Sequence, residues 1–223
     1  MPTDCLQRML DNRNQGPQMK AIKLQLANKT LLNPDARQWE RAPRSYLALR
    51  GTEARAQPSA YVRTTWAGKQ IGAVRSLSVQ AAHNRQTLFF RLNWADPSSN
   101  RDYGDGSVFP DAAAVLFPMN GDAPLALMGS PRAGIQAWYW RANHPEFGEA
   151  LAFHGFATEE QQPEPPILNA AHWEEGRWTV VLGAPLGAAV PAAAVAFAVW
   201  EGSNQERAGL HSYSPDWQEL VVE

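Results

Sequence analysis

With 223 residues, 44% of them hydrophobic and only 19% charged, the chain can bury a sizeable core without a disulfide or metal staple. Twenty basic residues against 22 acidic ones leave a formal charge of -2, so no basic field exists to gather phosphates, and nucleic acid is excluded as a partner. The lone cysteine, Cys5, excludes internal disulfides, thiolate metal and iron–sulfur sites, and covalent haem attachment through a Cys-x-x-Cys-His motif.

Residues 1–18 carry neither apolar periodicity nor the apolar h-region of a signal peptide, and are expected to be a disordered extension ahead of one domain over 19–223. From Met19 onward, period-two alternation recurs in short runs separated by turn chemistry: Ala21–Leu26, Tyr46–Arg50, Tyr61–Trp66, Val74–Gln80, Thr87–Trp94, Ala112–Phe117, Ile135–Arg141, Leu151–Phe156, Arg177–Leu182, Val195–Trp200 and Gln218–Val222. Most of the 16 glycines and 17 prolines fall between these runs, and helical spacing is nowhere sustained for three turns. The pattern predicts an all-β, antiparallel sandwich with long loops and little helix. In Thr87–Trp94, Leu88, Phe90 and Leu92 share one face while Phe89 needs cover on the other, which makes this an interior strand. Ala95–Gly106 and Ala157–Ala170 are polar and proline-bearing and read as surface loops; Ala184–Ala198 is alanine-rich, with room for one helical turn. The longest apolar stretch, Ala184 to Trp200, is interrupted by Pro185 and Pro191 and falls short of the roughly 18 residues a membrane helix needs, so a soluble protein with no membrane span is expected.

Few residues offer chemistry. His-x-x-x-His and His-x-His pairs are lacking, as is a Gly-x-Ser-x-Gly elbow, which removes the common metal-hydrolase and serine-triad patterns. Asp102, Asp105 and Asp111 surround glycines as in a calcium loop, but the closing Glu of an EF-hand is missing and Asx-capped turns explain them better. Met128 precedes Gly129 in a loop, and Met119 sits beside the turn Asn120-Gly121-Asp122. Among the histidines, His83 adjoins a hairpin turn, and His144 and His172 lie in loops. His154 alternates against Leu151 and Phe153, and His211 ends the polar loop that leaves the apolar run Val195–Trp200. A thioether and an imidazole on loops at the edge of a β domain suit the two axial positions of a haem iron. On residues alone, His154 competes with His211 for the second position. The nine tryptophans suit a core, yet exposed Trp rows also stack on sugar rings, so a carbohydrate-binding module is the rival reading, with a haem-free structural or assembly subunit behind it.

Several motifs in combination carry a resemblance: Phe109-Pro110-Asp111 running into Ala112–Pro118, Met128-Gly129, Ala137-Trp138-Tyr139-Trp140-Arg141, Ala196–Gly202, and Glu206-Arg207-x-Gly209-x-x-Ser212-Tyr213-Ser214. From about Met19 to its end the chain resembles the haem b (gamma) subunits of type II molybdenum enzymes of the dimethyl sulfoxide reductase family, ethylbenzene dehydrogenase above all. The resemblance implies a β-sandwich holding one non-covalent haem b, with Met128 as one axial ligand. In ethylbenzene dehydrogenase the second ligand is a lysine in a Glu-Arg-x-Gly-x-Lys-Ser segment; here that position is His211. Imidazole needs no stripping of a proton near neutral pH, so the exchange preserves six-coordination. Trp138 and Trp140 are expected to wall the haem, and Arg207 to pair with a propionate. The implied partners are a molybdopterin-containing catalytic alpha subunit, an iron–sulfur beta subunit and an external carrier such as a c-type cytochrome. The implied place is the periplasm, reached with the partner rather than by a signal peptide of its own. The expected role is an electron relay without substrate chemistry.

Overall fold

The computed structural model describes residues 18–104, 106–146, 148–188 and 194–223. Thirteen strands form in chain order: β1 (Gln18–Lys23), β2 (Ser45–Ala48), β3 (Arg50–Gly51), β4 (Ser76–His83), β5 (Thr87–Ala95), β6 (Ala112–Pro118), β7 (Ile135–Arg141), β8 (Gly148–Phe153), β9 (Glu160–Glu174), β10 (Arg177–Pro185), β11 (Ala194–Trp200), β12 (Ser212–Tyr213) and β13 (Gln218–Val222). Two short helices, α1 (Asn28–Leu32) and α2 (Ala60–Thr65), complete the regular structure with a few 3-10 turns.

The strand order β13-β1-β4-β5-β10-β9-β8-β7-β6-β11 returns on itself, because β13 also pairs with β11. The all-β sandwich is therefore stitched shut into a flattened barrel, which leaves few free edges. One departure from antiparallel pairing exists: β1 runs parallel to both β13 and β4. No hairpin joins β1 to β4 or β13, so no tight turn dictates an antiparallel direction.

Every second residue points inward. Leu88, Phe90, Leu92 and Trp94 of β5 meet Val115 and Phe117 of β6, Trp138 and Trp140 of β7, Trp178 and Val180 of β10, and Phe197 of β11 in one continuous core. Aromatic rings interlock there, with Phe117 to Trp138 at 4.7 Å and Trp140 to Trp178 at 4.9 Å between centroids. The outward faces are also apolar. On one side Ala82, Phe89 and Val181 are covered by Leu24, Leu31 and Trp39; on the other, Leu116, Ala137, Leu151, Ala198 and Trp200 lie beneath Leu125 and Met128. Phe89 thus finds its cover, as the double-sided strand requires.

Three local expectations fail. Tyr61–Trp66 is largely α2: Ser59 accepts a hydrogen bond from Val62 N and caps the helix, and Arg63 ties it to the carbonyls of Gln57 and Pro58. Residues 157–170 are mostly strand, since β9 runs through Pro163, Pro165 and Pro166, and a register shift in its pairing with β8 absorbs the missing donors. His172 accordingly lies in β9, bonded to Asp35 at 2.9 Å, and not in a loop. The expected extension over 1–18 loses Gln18 to β1, and the rest of it, Cys5 included, lies outside the described residues.

Candidate functional site

On the outer face of β6, β7, β8 and β11 the loops do not close. A cleft of about 460 Å³ opens there, walled by Met128, Tyr139, Phe153, Phe156, Trp200 and Gly209. A second cleft of about 540 Å³ shares Tyr139, Glu159, Trp200 and Ala208 with it, and adds Phe109, Arg141 and Arg207. The first is lined by rings and a thioether; the second is polar and cationic at its rim. An apolar slot with a few convergent polar groups is the ordinary form of a cofactor site.

Met128 is 2% exposed and ends the 3-10 turn Leu125–Leu127 in the left-handed conformation, with φ 56° and ψ 46°. A bulky residue rarely stands there, at a cost of about 1–3 kcal/mol that the surroundings must sustain. They do so through Gly129, itself at φ 89°, whose N–H reaches Pro124 O at 3.0 Å, and through Gly155, whose N–H donates to Met128 O at 3.0 Å. The thioether is thereby held against the cleft by two loops.

His211 is fully buried. Its backbone is clamped by Thr52: Thr52 N donates to His211 O at 3.0 Å and His211 N to Thr52 Oγ1 at 3.3 Å. Nδ1 lies 3.2 Å from Ala208 O, a carbonyl that can only accept, so the proton belongs on Nδ1 and the lone pair on Nε2. Nε2 is buried and has no hydrogen-bond partner. Burial pushes the imidazole down to about 4, which keeps it neutral. A buried nitrogen lone pair with nothing to accept costs about 1–3 kcal/mol, and a metal is one group that relieves it. His211 is not itself a cleft wall; its ring lies 4.9 Å from that of Trp200, which is, and Trp200 Nε1 shares Ala208 O at 2.9 Å.

The remaining histidines differ. His154 is half-buried, packed at Gly134 beside the half-exposed Met119, and lines neither cleft. His83 is buried and its Nε2 is likewise unpartnered, but its Nδ1 accepts from Arg85 N at 3.3 Å and it lines neither cleft. His144 stands in a turn.

The tryptophan expectation needs correcting. Trp138 and Trp140 are wholly buried in the barrel core, and alternation gives the cleft to Tyr139 between them, whose ring meets Trp200 at 5.3 Å. Trp138-Tyr139-Trp140 offers either face, and two large rings belong where volume must be filled. Arg207 is exposed at the second cleft, 4.1 Å over the ring of Phe109, while Glu206 beside it is fully buried. Glu206 Oε1 accepts from Gly72 N, Ala73 N and Asn204 Nδ2 and Oε2 from Glu201 N, so the carboxylate folds the 201–206 turn onto the 72–73 segment.

Asp111 belongs to no calcium loop with Asp102, which is exposed; Asp105 lies outside the described residues. It instead meets Asp96 and Glu201, and takes hydrogen bonds from Asn100 N, Gly202 N and Trp178 Nε1. These carboxylates anchor the loops at the barrel end. Burial, followed by the neighbouring Asp111 charge, raises Asp96 to about 7, and burial raises Asp111 to about 6.

A family model described as ethylbenzene dehydrogenase matches residues 36–165, more than half of the chain. The chain belongs to this family. The chlorate reductase gamma subunit of Ideonella dechloratans is 32% identical over 88% of this chain and 82% of its own length. A Haloferax mediterranei protein named as a respiratory nitrate reductase heme subunit is 36% identical over 65% of this chain, and the dimethylsulfide dehydrogenase gamma subunit of Rhodovulum sulfidophilum 29% identical over 64%. The chain matches only 55% and 59% of the lengths of these last two. Among solved structures, a family 9 carbohydrate-binding module from Caldicellulosiruptor kristjanssonii superposes with a TM-score of 0.52 at 9% identity, covering 92% of this chain and 95% of the module; that likeness is one of fold. Met128 lies inside the family-matched span and His211 beyond it, so the imidazole stands on its own geometry.

Proposed function

We propose that this member of the ethylbenzene dehydrogenase family is an electron-transfer subunit holding one non-covalent haem b between Met128 and His211. The observation that carries the reading is the buried, neutral His211 with an unpartnered Nε2, behind an apolar cleft to which a strained loop presents a thioether. When bound, the haem supplies a one-electron ferric/ferrous couple. Met128 and His211 would hold the iron from two loops, and in this reading the subunit carries electrons and performs no substrate chemistry of its own. Ala208 O fixes the imidazole tautomer; Tyr139, Phe153, Phe156 and Trp200 exclude water. The partners in this reading are a molybdopterin-bearing alpha subunit, an iron–sulfur beta subunit and an external carrier such as a c-type cytochrome. The place is the periplasm, and recovery from the cytoplasmic fraction of the source cells would count against it.

The sugar-binding rival loses its footing: none of the nine tryptophans is exposed, all lying between fully and partly buried. An absorption spectrum of the purified chain tests the proposal. A Soret band with sharp reduced α and β bands, its low-spin pattern turned to high spin in His211→Ala and kept in His154→Ala, is the expected result; the opposite pattern would move the ligand to the other loop, and a colourless protein that takes up no added haem would end the reading.

A further inference from the structure

The relay reading leaves the second, polar cleft unexplained. Tyr139 and Arg141 are alternate residues of β7, so both side chains leave the same face, the one turned away from Trp138 and Trp140. Tyr139 walls the apolar cleft and Arg141 the polar one, with the guanidinium carbon 5.8 Å from the tyrosine ring centroid. Arg141 Nη2 donates to both oxygens of Glu149, at 3.0 and 3.3 Å, and the side chain retains only 31% exposure. Its Nε–H is buried and meets no acceptor. A charged donor deprived of both water and partner is costly, and it asks for an oxygen. Arg207 at the same cleft is exposed, donates to Gln205 O and rests on Phe109, so nothing in its surroundings is left wanting. Glu159, the acid shared by both clefts, is exposed, and Glu206 has committed both oxygens to backbone and amide donors.

We infer that Arg141 is the anchor for the carboxylates of the group in the apolar cleft, its Nε–H donating to a propionate, with Arg207 adding only an outlying positive charge. This rests on the haem reading and goes further by naming the residue that orients the macrocycle. A guanidinium already bound to Glu149 presents its remaining donors in a fixed plane, which suits carboxylate recognition.

The test titrates the full-length chain, stripped of haem, with haem b and separately with its dimethyl ester, whose propionates carry no charge. Arg141→Gln is expected to weaken haem b about tenfold or more and the ester less than about twofold, since one charge-assisted hydrogen bond is removed. Arg207→Gln should change both by less than about twofold. Glu149→Gln, which removes the competing negative charge but keeps an oxygen to hold the guanidinium plane, should tighten haem b and leave the ester unchanged, and it answers the question even if Arg141→Gln folds poorly. Equal losses for both ligands in Arg141→Gln, or no effect of Glu149→Gln on haem b, would overturn the anchor while leaving the relay intact. Failure of the wild-type chain to bind either ligand would overturn both.

Discussion

The barrel has two apolar outer faces, and the chain treats them differently. Over β4, β5 and β10 the segment from Leu24 to Ala42 lies down and seals the surface, and its polar atoms are answered: Trp39 Nε1 donates to Leu31 O, Gln80 Nε2 to the carbonyls of Trp39 and Ala42, and Arg91 Nε to Pro34 O. Over β6, β7, β8 and β11 the covering loops stop short, leaving a cleft, a methionine in the left-handed region and two buried nitrogens, His211 Nε2 and Arg141 Nε, with nothing to bond. Orphaned atoms alone do not mark a site, because the indoles of Trp94, Trp138 and Trp140 are orphaned inside the core. Their coincidence with a cleft does: the first face is closed by the chain, and the second is built to be closed by something else.

The largest effect separates the faces by readout. Trp39→Ala removes a buried ring and a carbonyl partner from the sealed face and should cost about 3–5 kcal/mol in denaturant unfolding, while the haem spectrum of the folded fraction stays unaltered. His211→Ala should do the reverse, turning the haem from low to high spin, and His211→Lys should restore a low-spin form, since a deprotonated amine can replace the imidazole as a nitrogen ligand. A spectrum damaged equally by both substitutions would dissolve the distinction.

Met128→Leu comes next. Volume and apolarity are kept, so unfolding should shift by less than about 1.5 kcal/mol, yet the low-spin spectrum should be lost or haem uptake weakened because Leu has no lone pair. Met128→Gly relieves the left-handed strain but also deletes a buried side chain, so the haem-free protein should lose about 1–3 kcal/mol on balance. An unchanged low-spin spectrum in Met128→Leu would strike Met128 from the site.

The sequence made the sealed core legible and the open face only partly so. Alternation located β4 to β8 and β10 to β11 because each strand carries a large apolar residue on one face every second position. It failed at Tyr61–Trp66, where the exposed Tyr61, half-buried Val62 and buried Trp66 of a helical turn mimic a strand, and at β9, where three prolines mask a strand paired on both sides. The Met-Gly and Glu-Arg motifs pointed to two loops that line the clefts, but composition could not tell that Glu206 is buried and Arg207 exposed, nor which face of Trp138-Tyr139-Trp140 meets the cleft. Arg141 went unnoticed because its significance lies in an unpartnered Nε, which only packing reveals.

A smaller effect concerns pH. His211, with a folded pKa of about 4 against 6.5 in the unfolded chain, takes up its proton on unfolding; its contribution is intact above pH 6.5 and declines as pH falls toward 4. Asp96 has the opposite sign: its folded pKa of about 7 lies above the unfolded value of 3.8, so its contribution is fully present below about pH 4 and is lost as pH rises through 7. Asp96→Asn keeps the shape and removes the charge, and should stabilise the haem-free protein by roughly 1–2 kcal/mol above pH 7 after allowance for screening, with no gain near pH 4. Unfolding curves at pH 4.5 and 8 measure it; a gain of equal size at both would show that charge is not the cause.

The smallest effect is expected of Arg207→Gln. The side chain is exposed, lies over Phe109 and bonds only to the Gln205 carbonyl two residues away, so its removal should shift unfolding by less than about 0.5 kcal/mol, as for a surface residue outside any network. Its charge still stands at the rim of the polar cleft, where water and salt screen it within about 10 Å at 0.1 M. Any effect on haem uptake should therefore be confined to low ionic strength and vanish with added salt, whereas the half-buried Arg141, through its buried Nε, should be far less sensitive to salt. A salt-independent loss in Arg207→Gln would mean that the exposed arginine touches the bound group directly, and that the open face is closed from the Glu206 turn rather than from β7.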